Sequence, residues 1–190
     1  MSIIQLVQKN ILKGNIMTRY LFTFSIILLA ALSRLLPHPP NVAPITALAL
    51  FGGVYLDKKH TFIAPIAAML ISDYFIGFYS GMVWVYASFI AIGFLGLWLR
   101  NHKGIATTVG ASLAGSILFF IVTNFGVWAS PQFTYSHDIS GLTQCYVAAI
   151  PFFRNTLIGD VFYVGAMFGL YELGKKYIPA LNAEVSALKI

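Results

Sequence analysis

Apolar stretches of 17 residues or more follow one another along most of the chain, separated by short polar breaks. A run of that length approaches the roughly 20 residues that an α-helix needs to cross the ~30 Å hydrocarbon layer, and exceeds the 10–14 apolar residues usual for a buried core helix. The chain is 58% hydrophobic and only 9% charged, against roughly 25% charged residues in soluble domains. A water-soluble fold of 190 residues has no interior large enough for that much apolar surface. The expected solvent is the bilayer, and the expected fold class is an all-α membrane protein.

The breaks divide the chain into six predicted transmembrane helices, over residues 20–36, 44–56, 61–79, 81–99, 105–129 and 152–177. The first stops at Pro37-His38-Pro39-Pro40, where prolines remove backbone donors and force extended geometry. The second has only 13 residues, about 20 Å at 1.5 Å per residue, so protein or bound ligand must flank it where it falls short of the bilayer. The sixth is predicted to begin just behind Pro151, after a polar loop. Residues 1–19 form a cytoplasmic or interfacial segment, 20–177 the membrane domain and 178–190 a cytoplasmic tail. In the first of these, Ile3, Ile4, Val7, Ile11 and Leu12 fall at helical spacing with Lys9 and Lys13 on the polar side, which suits a short helix lying on an anionic surface. A start at Met17 is an equal alternative. Ala31-Leu32-Ser33 resembles a peptidase site, but no soluble segment follows it, and we expect no cleaved signal.

The net charge of +6 does not mark a nucleic-acid binder, because the basic residues sit in small groups at the ends of apolar spans. Lys9, Lys13, Arg19, Lys58, Lys59, Arg100, Lys103, Lys175, Lys176 and Lys189 all fall on one side of a six-span alternation, and only Arg34 and Arg154 of the twelve basic residues do not. The positive-inside rule makes that side cytoplasmic, with both termini in the cytoplasm of a multi-pass inner-membrane protein.

Arg34, Asp73, Arg154 and Asp160 lie within apolar segments, where each costs about 2.5–3.5 kcal/mol at a helix centre facing lipid. Arg154 and Asp160 are six residues apart, about 240° around a helix, and cannot serve each other. Each of the four is expected to find a partner on another span, Arg34 with Asp73 or Asp160. On the same predicted extracytoplasmic side lie His38, Asn41, Asn124, Trp128, Tyr146 and Asn155, and in the loops Tyr135, His137, Asp138, Gln144 and Cys145. These residues suit a pocket for a small solute, with Trp84, Tyr86, Phe120, Trp128 and Phe152 as aromatic walls. The opposite half offers mainly lysines and glycines. Helix locking by the charged groups and an interfacial aromatic belt remain open as structural readings of the same residues. Gly110 with Ala114 and Ala111 with Gly115 form small-x-x-x-small pairs, and the first span contributes Ala30 and Ala31, for internal packing or for a partner subunit.

Catalytic and metal signals are weak. No H-E-x-x-H, G-x-S-x-G or Walker sequence occurs, the four histidines are scattered, and Cys145 is the only cysteine. The expectation is a non-enzymatic protein without a cofactor or resident metal. Cys145 is read as an inert loop-edge residue, with a soft ligand for a metal-containing solute as the rarer alternative.

The strings Ser33-Arg34-Leu35-Leu36-Pro37-His38-Pro39-Pro40-Asn41, Ala47-Leu48-Ala49-Leu50-Phe51-Gly52-Gly53, Ser72-Asp73, Thr123-Asn124-Phe125-Gly126-Val127-Trp128 and Cys145-Tyr146 through Pro151-Phe152-Phe153 to Gly159-Asp160 resemble an uncharacterised bacterial family of small membrane proteins of the DUF6580 type. That family in turn resembles the S components of energy-coupling-factor (ECF) vitamin transporters. The resemblance implies a six-helix S-component-like bundle that captures a vitamin-like solute from outside, a corrinoid among the candidates. It also implies an ECF-type coupling subunit and two ATPases as partners. The expected function is therefore solute binding and transport through Arg34, His38, Asn41, Asp73, Asn124, Trp128, Tyr146, Arg154, Asn155 and Asp160. Replacing Arg34 or Asp73 by Ala is expected to abolish binding and leave a folded monomer. The alternatives are a membrane scaffold, and an intramembrane enzyme using Asp73 and Asp160 as paired carboxylates.

Overall fold

A computed structural model describes residues 2–132 and 135–182. Among them the chain forms six α-helices and no strand: α1 (Ile3–Ser33), α2 (Ile45–Tyr55), α3 (His60–Ile76), α4 (Met82–Arg100), α5 (Ile105–Ala129) and α6 (Ile139–Tyr177), followed by a 3₁₀ turn at Pro179–Asn182. Helices α1, α4, α5 and α6 are each long and apolar enough to cross a membrane, whereas α2 and α3 are shorter.

Two boundaries differ from the sequence reading by more than a few residues. The segment 1–19 and the first predicted span are one continuous helix of 31 residues, about 46 Å long at 1.5 Å per residue. Its start is fixed by a capping box, in which Ser2 Oγ accepts from the Gln5 N–H and Gln5 Oε1 accepts from the Ser2 N–H. The polar loop expected up to Pro151 is also largely helix, because α6 begins at Ile139. Asp138 caps it by accepting from the Gly141 N–H at 2.8 Å, and Ser136 Oγ donates to the same carboxylate oxygen. Leu142, Cys145 and Ala149 then recur at helical spacing, with Cys145 and Ala149 buried. Pro151 lies inside the helix without ending it, as is tolerated where neighbouring helices meet the freed backbone groups. Gln144, Cys145 and Tyr146 are thus helical residues. The Tyr146 hydroxyl donates to the Ile121 carbonyl at 2.7 Å and ties the added part of α6 to α5.

Helix α2 is the centre of the molecule, with every residue from Thr46 to Tyr55 buried. At 11 residues it is about 16 Å long, and it is flanked by protein, as its length required. It packs closest on α4. A Cβ on Gly53 would lie 2.5 Å from the Gly96 carbonyl carbon, and one on Gly96 would lie 2.8 Å from the Leu50 carbonyl oxygen. Only glycines permit backbones to cross at that separation. Gly115 of α5 similarly faces the Thr46 side chain, so the Ala111–Gly115 face serves internal packing. Nothing lies within 4 Å of a Cβ on Gly110.

Successive helices run in opposite directions, so the bundle has an Arg34 end and an Arg100 end. The Arg34 end gathers the C-terminal ends of α1, α3 and α5 and the starts of α2 and α4. The Arg100 end gathers the C-terminal ends of α2, α4 and α6.

Candidate functional site

At the Arg34 end α1 finishes in the buried ion pair expected of it. Arg34 Nη2 lies 2.7 Å from Asp73 Oδ1 of α3, with side chains 7% and 0% exposed. Arg34 Nη1 donates to Ser72 Oγ at 2.5 Å, and Ser72 Oγ in turn donates to the Met69 carbonyl. The Tyr86 hydroxyl of α4 donates to Asp73 Oδ2 at 2.7 Å. Gly77, at φ 100°, lets α3 end just beyond: its N–H caps the Asp73 carbonyl, and the chain turns toward Tyr79. The pair therefore joins α1 to α3 while α4 completes the carboxylate. An Ala at position 73 would strand a buried guanidinium, so it probes folding as well as binding, contrary to the expectation of an undisturbed monomer.

Asp160 does not pair with either arginine. It is 1% exposed in the middle of α6, where Ser116 Oγ of α5 donates to its Oδ2 at 2.5 Å and the Thr46 hydroxyl of α2 lies against it. Asp73 and Asp160 thus sit in separate hydrogen-bonded sets, an arrangement unlike a pair of carboxylates sharing one proton. Arg154 is exposed and makes no ion pair among the described residues. The reason is the 240° separation read from the sequence: burying Asp160 turns Arg154 outward.

Between these two sets lies a cavity of about 320 Å³, walled by the C-cap of α1, by α2, α3, α4, α5 and α6, and by the segments joining α1 to α2 and α3 to α4. Arg34, His38, Asn41 and Asp160 line it together with Tyr79, Phe119 and Thr156. The covering segment is shaped by Pro39-Pro40-Asn41-Val42: Asn41 adopts φ 64°, and the Val42 N–H closes a turn on the Pro39 carbonyl at 3.1 Å. Asn155 Nδ2 donates to the Pro40 carbonyl at 2.9 Å, fastening this cover to α6. His38 lies exposed at the edge, with Nδ1 3.0 Å from the Pro39 carbonyl.

Four of the ten predicted site residues therefore reach the cavity. Asp73 supports Arg34 from behind and Asn155 holds the cover. Asn124 and Trp128 are spent elsewhere, Asn124 Nδ2 on the Phe120 carbonyl of its own helix and Trp128 Nε1 on the Ser136 carbonyl. Tyr146 and Arg154 also lie outside. Of the predicted aromatic walls none lines the cavity; its rings are Tyr79 and Phe119. Trp84 packs over Gly126, and Phe120 packs against Tyr146 and Phe153. Thr46 and Ser116 escaped the sequence reading because single hydroxyls in apolar helices usually bond their own backbone. A buried aspartate one helix away was the available signal.

Cys145 is buried against the Asn124 carbonyl, with the sulfur 3.4 Å away, and does not line the cavity. Among the described residues no three His, Cys, Asp or Glu side chains are grouped to hold a metal ion.

The Arg100 end is the more densely bonded of the two, not the sparse half expected. Arg100 donates to the Gly53 carbonyl from Nε at 2.9 Å, to the Leu56 carbonyl and to Thr61 Oγ1. Arg19 Nη2 donates to the Tyr55 carbonyl at 3.1 Å. Two of the topology-marking cations thus satisfy the last carbonyls of the buried helix α2, which have no intrahelical partner. A second cavity of about 730 Å³ opens beside them between α5 and α6. Its walls are mainly apolar and its carboxylate is already engaged, Glu172 accepting from Tyr55 at 2.9 Å and from Lys175 at 2.7 Å.

The family model described as a family of unknown function, DUF6580, matches residues 14–181. No curated protein and no solved structure matches the chain.

Proposed function

The chain belongs to DUF6580, a family of unknown function, and within it we propose that this protein is a multi-pass inner-membrane protein that captures a small solute from the extracytoplasmic side. One observation carries the reading: the Arg34 end contains a chamber of about 320 Å³, small-molecule sized, into which two otherwise expensive charged side chains are brought. Six crossings with both termini in the cytoplasm are supported by the alternating helices and by nine of the eleven described basic residues falling on the Arg100 side. The resemblance to S components supports the same sidedness, a vitamin-like solute and energy from a separate coupling subunit with ATPases. A scaffold role would leave the chamber without a purpose, and paired-carboxylate catalysis would need Asp73 and Asp160 in one hydrogen-bonded set.

The test is native mass spectrometry of protein purified gently from its own membranes, beside an Ala43→Phe variant that fills the chamber from its wall. The wild type is expected to retain a small molecule that the variant loses while both remain monodisperse. A wild type free of small molecules but carrying a stoichiometric membrane partner would replace transport with the scaffold reading. Reporter fusions check sidedness: a reporter near His137 must be extracytoplasmic and one at the C-terminus cytoplasmic.

A further inference from the structure

We infer, resting on the chamber being a solute site, that the bound solute presents a positively charged organic nitrogen to Asp160. The reason is how the buried charges are distributed. Arg34 and Asp73 close on each other at 2.7 Å, and the other side chains bonded to that pair, Ser72, Met69, Tyr79 and Tyr86, carry no charge, so it is neutral as a unit. Arg154 is turned outward. His38 is occupied with its neighbour's carbonyl at the exposed edge. Asp160 is left as a carboxylate 1% exposed, lining the chamber, whose partners among the described residues are the neutral hydroxyls of Ser116 and Thr46.

Hydroxyl donors offset only part of the cost of burying a carboxylate, and a cation adjacent to it offsets far more. None of Arg34, Arg154 and His38 supplies that charge, so the site is complete once a ligand does. The walls decide which kind of cation. A hard metal ion takes six or more oxygen ligands, whereas here one carboxylate, the Asn41 amide and a few hydroxyls share the lining with Arg34, Ile45, Ile76, Val85 and the rings of Phe119 and Tyr79. Aromatic faces and aliphatic side chains suit an ammonium on an apolar body, the rings adding cation–π attraction. The solute class is thus a protonated amine or quaternary ammonium of compact, largely apolar form. A proton held permanently by Asp160 is the competing account, and it predicts indifference to ligand charge.

The experiment measures thermal unfolding of the purified full-length protein in detergent with three probes of one shape, 2-phenylethylammonium, 2-phenylethanol and 3-phenylpropionate. For the wild type, the ammonium probe is expected to reach half its effect at a concentration at least about ten-fold lower than the alcohol, in line with a desolvated charge pair. The propionate is expected to do worse than either. Asp160→Asn should erase the preference while Glu172→Gln, in the other cavity, should keep it. Should the asparagine variant fail to fold, Ala43→Phe decides, since blocking the chamber must abolish the ammonium effect without touching the carboxylate. Equal action of ammonium and alcohol on the wild type, or an ammonium effect that survives either variant, overturns the inference yet leaves a solute site wherever a probe or a retained molecule still depends on Ala43. If no probe acts the inference is overturned, and if native mass spectrometry also finds no retained molecule the solute-site reading falls with it.

Discussion

The two ends of this bundle handle buried polarity in opposite ways. At the Arg100 end, Arg19, Arg100, Tyr55 and Glu172 knit the C-terminal turn of α2 to α1, α4 and α6, and the donors that reach this turn meet acceptors, while the buried Tyr171 hydroxyl packed beside Tyr55 has none among the described residues. At the Arg34 end the pair of Arg34 and Asp73 is closed, but among the described residues Asp160 faces a cavity with hydroxyls alone. Polarity that terminates a helix is closed by the fold, whereas polarity that lines a chamber is left for something else to close. The contrast explains why the larger cavity, beside the closed network, is the weaker candidate for a solute.

The comparison can be broken most forcefully at Asp73. Asp73→Ala leaves the Arg34 guanidinium buried without its counter-charge, and a loss of about 3–5 kcal/mol is expected, read as a large drop in the unfolding midpoint in detergent. Arg100→Ala removes donors from the Gly53 and Leu56 carbonyls and should cost about 2–4 kcal/mol without changing probe preference at the other end. A solute effect from that substitution would show that the ends are not independent.

Smaller effects sharpen the picture outside the apolar spans. At Asp57 burial acts to raise the carboxyl's pKa, but hydrogen bonds from the His60 N–H, the Tyr20 hydroxyl and the His60 ring outweigh it, and the group is held below the usual carboxylate range. A depressed folded-state pKa gives stability that is fully present above the unfolded value, about 3.9, and is lost as pH falls through the folded one. Unfolding midpoints followed below about pH 4 should therefore decline, and Asp57→Asn should flatten part of the decline. Least affected should be the global midpoint of Asp138→Ala, which removes the cap of α6. Amide hydrogen exchange is expected to speed up over residues 139–143 alone, and faster exchange beyond Pro151 would mean the added part of α6 does not pack as an independent turn.

Much of the fold was legible because the hydrophobic pattern and the bilayer leave little choice. Helix α5 carries the boundaries predicted for it, and α3 and α4 differ from theirs by at most a few residues. The predicted break near Pro151 failed for a physical reason: proline signals a helix end by its missing donor, and inside a bundle neighbouring elements absorb that loss. The candidate site was legible in its charged members, since a buried Arg or Asp in an apolar helix must have a partner. The partner's identity was not. Nothing in the spacing of Arg34, Asp73 and Asp160 distinguishes which carboxylate meets the guanidinium, and Thr46 and Ser116 carried no signal of their own.

Sequence alone determined that apolar helices form along the chain and that Arg154 and Asp160 cannot share a face, because these follow from composition and from 100° per residue. Only the tertiary structure decided that Arg34 closes on Asp73 and that Asp160 opens on a cavity. Those outcomes depend on how α2 seats against α4 through Gly53 and Gly96, a contact between residues 43 positions apart, and a separation of that kind is set by packing rather than by any local preference of the chain.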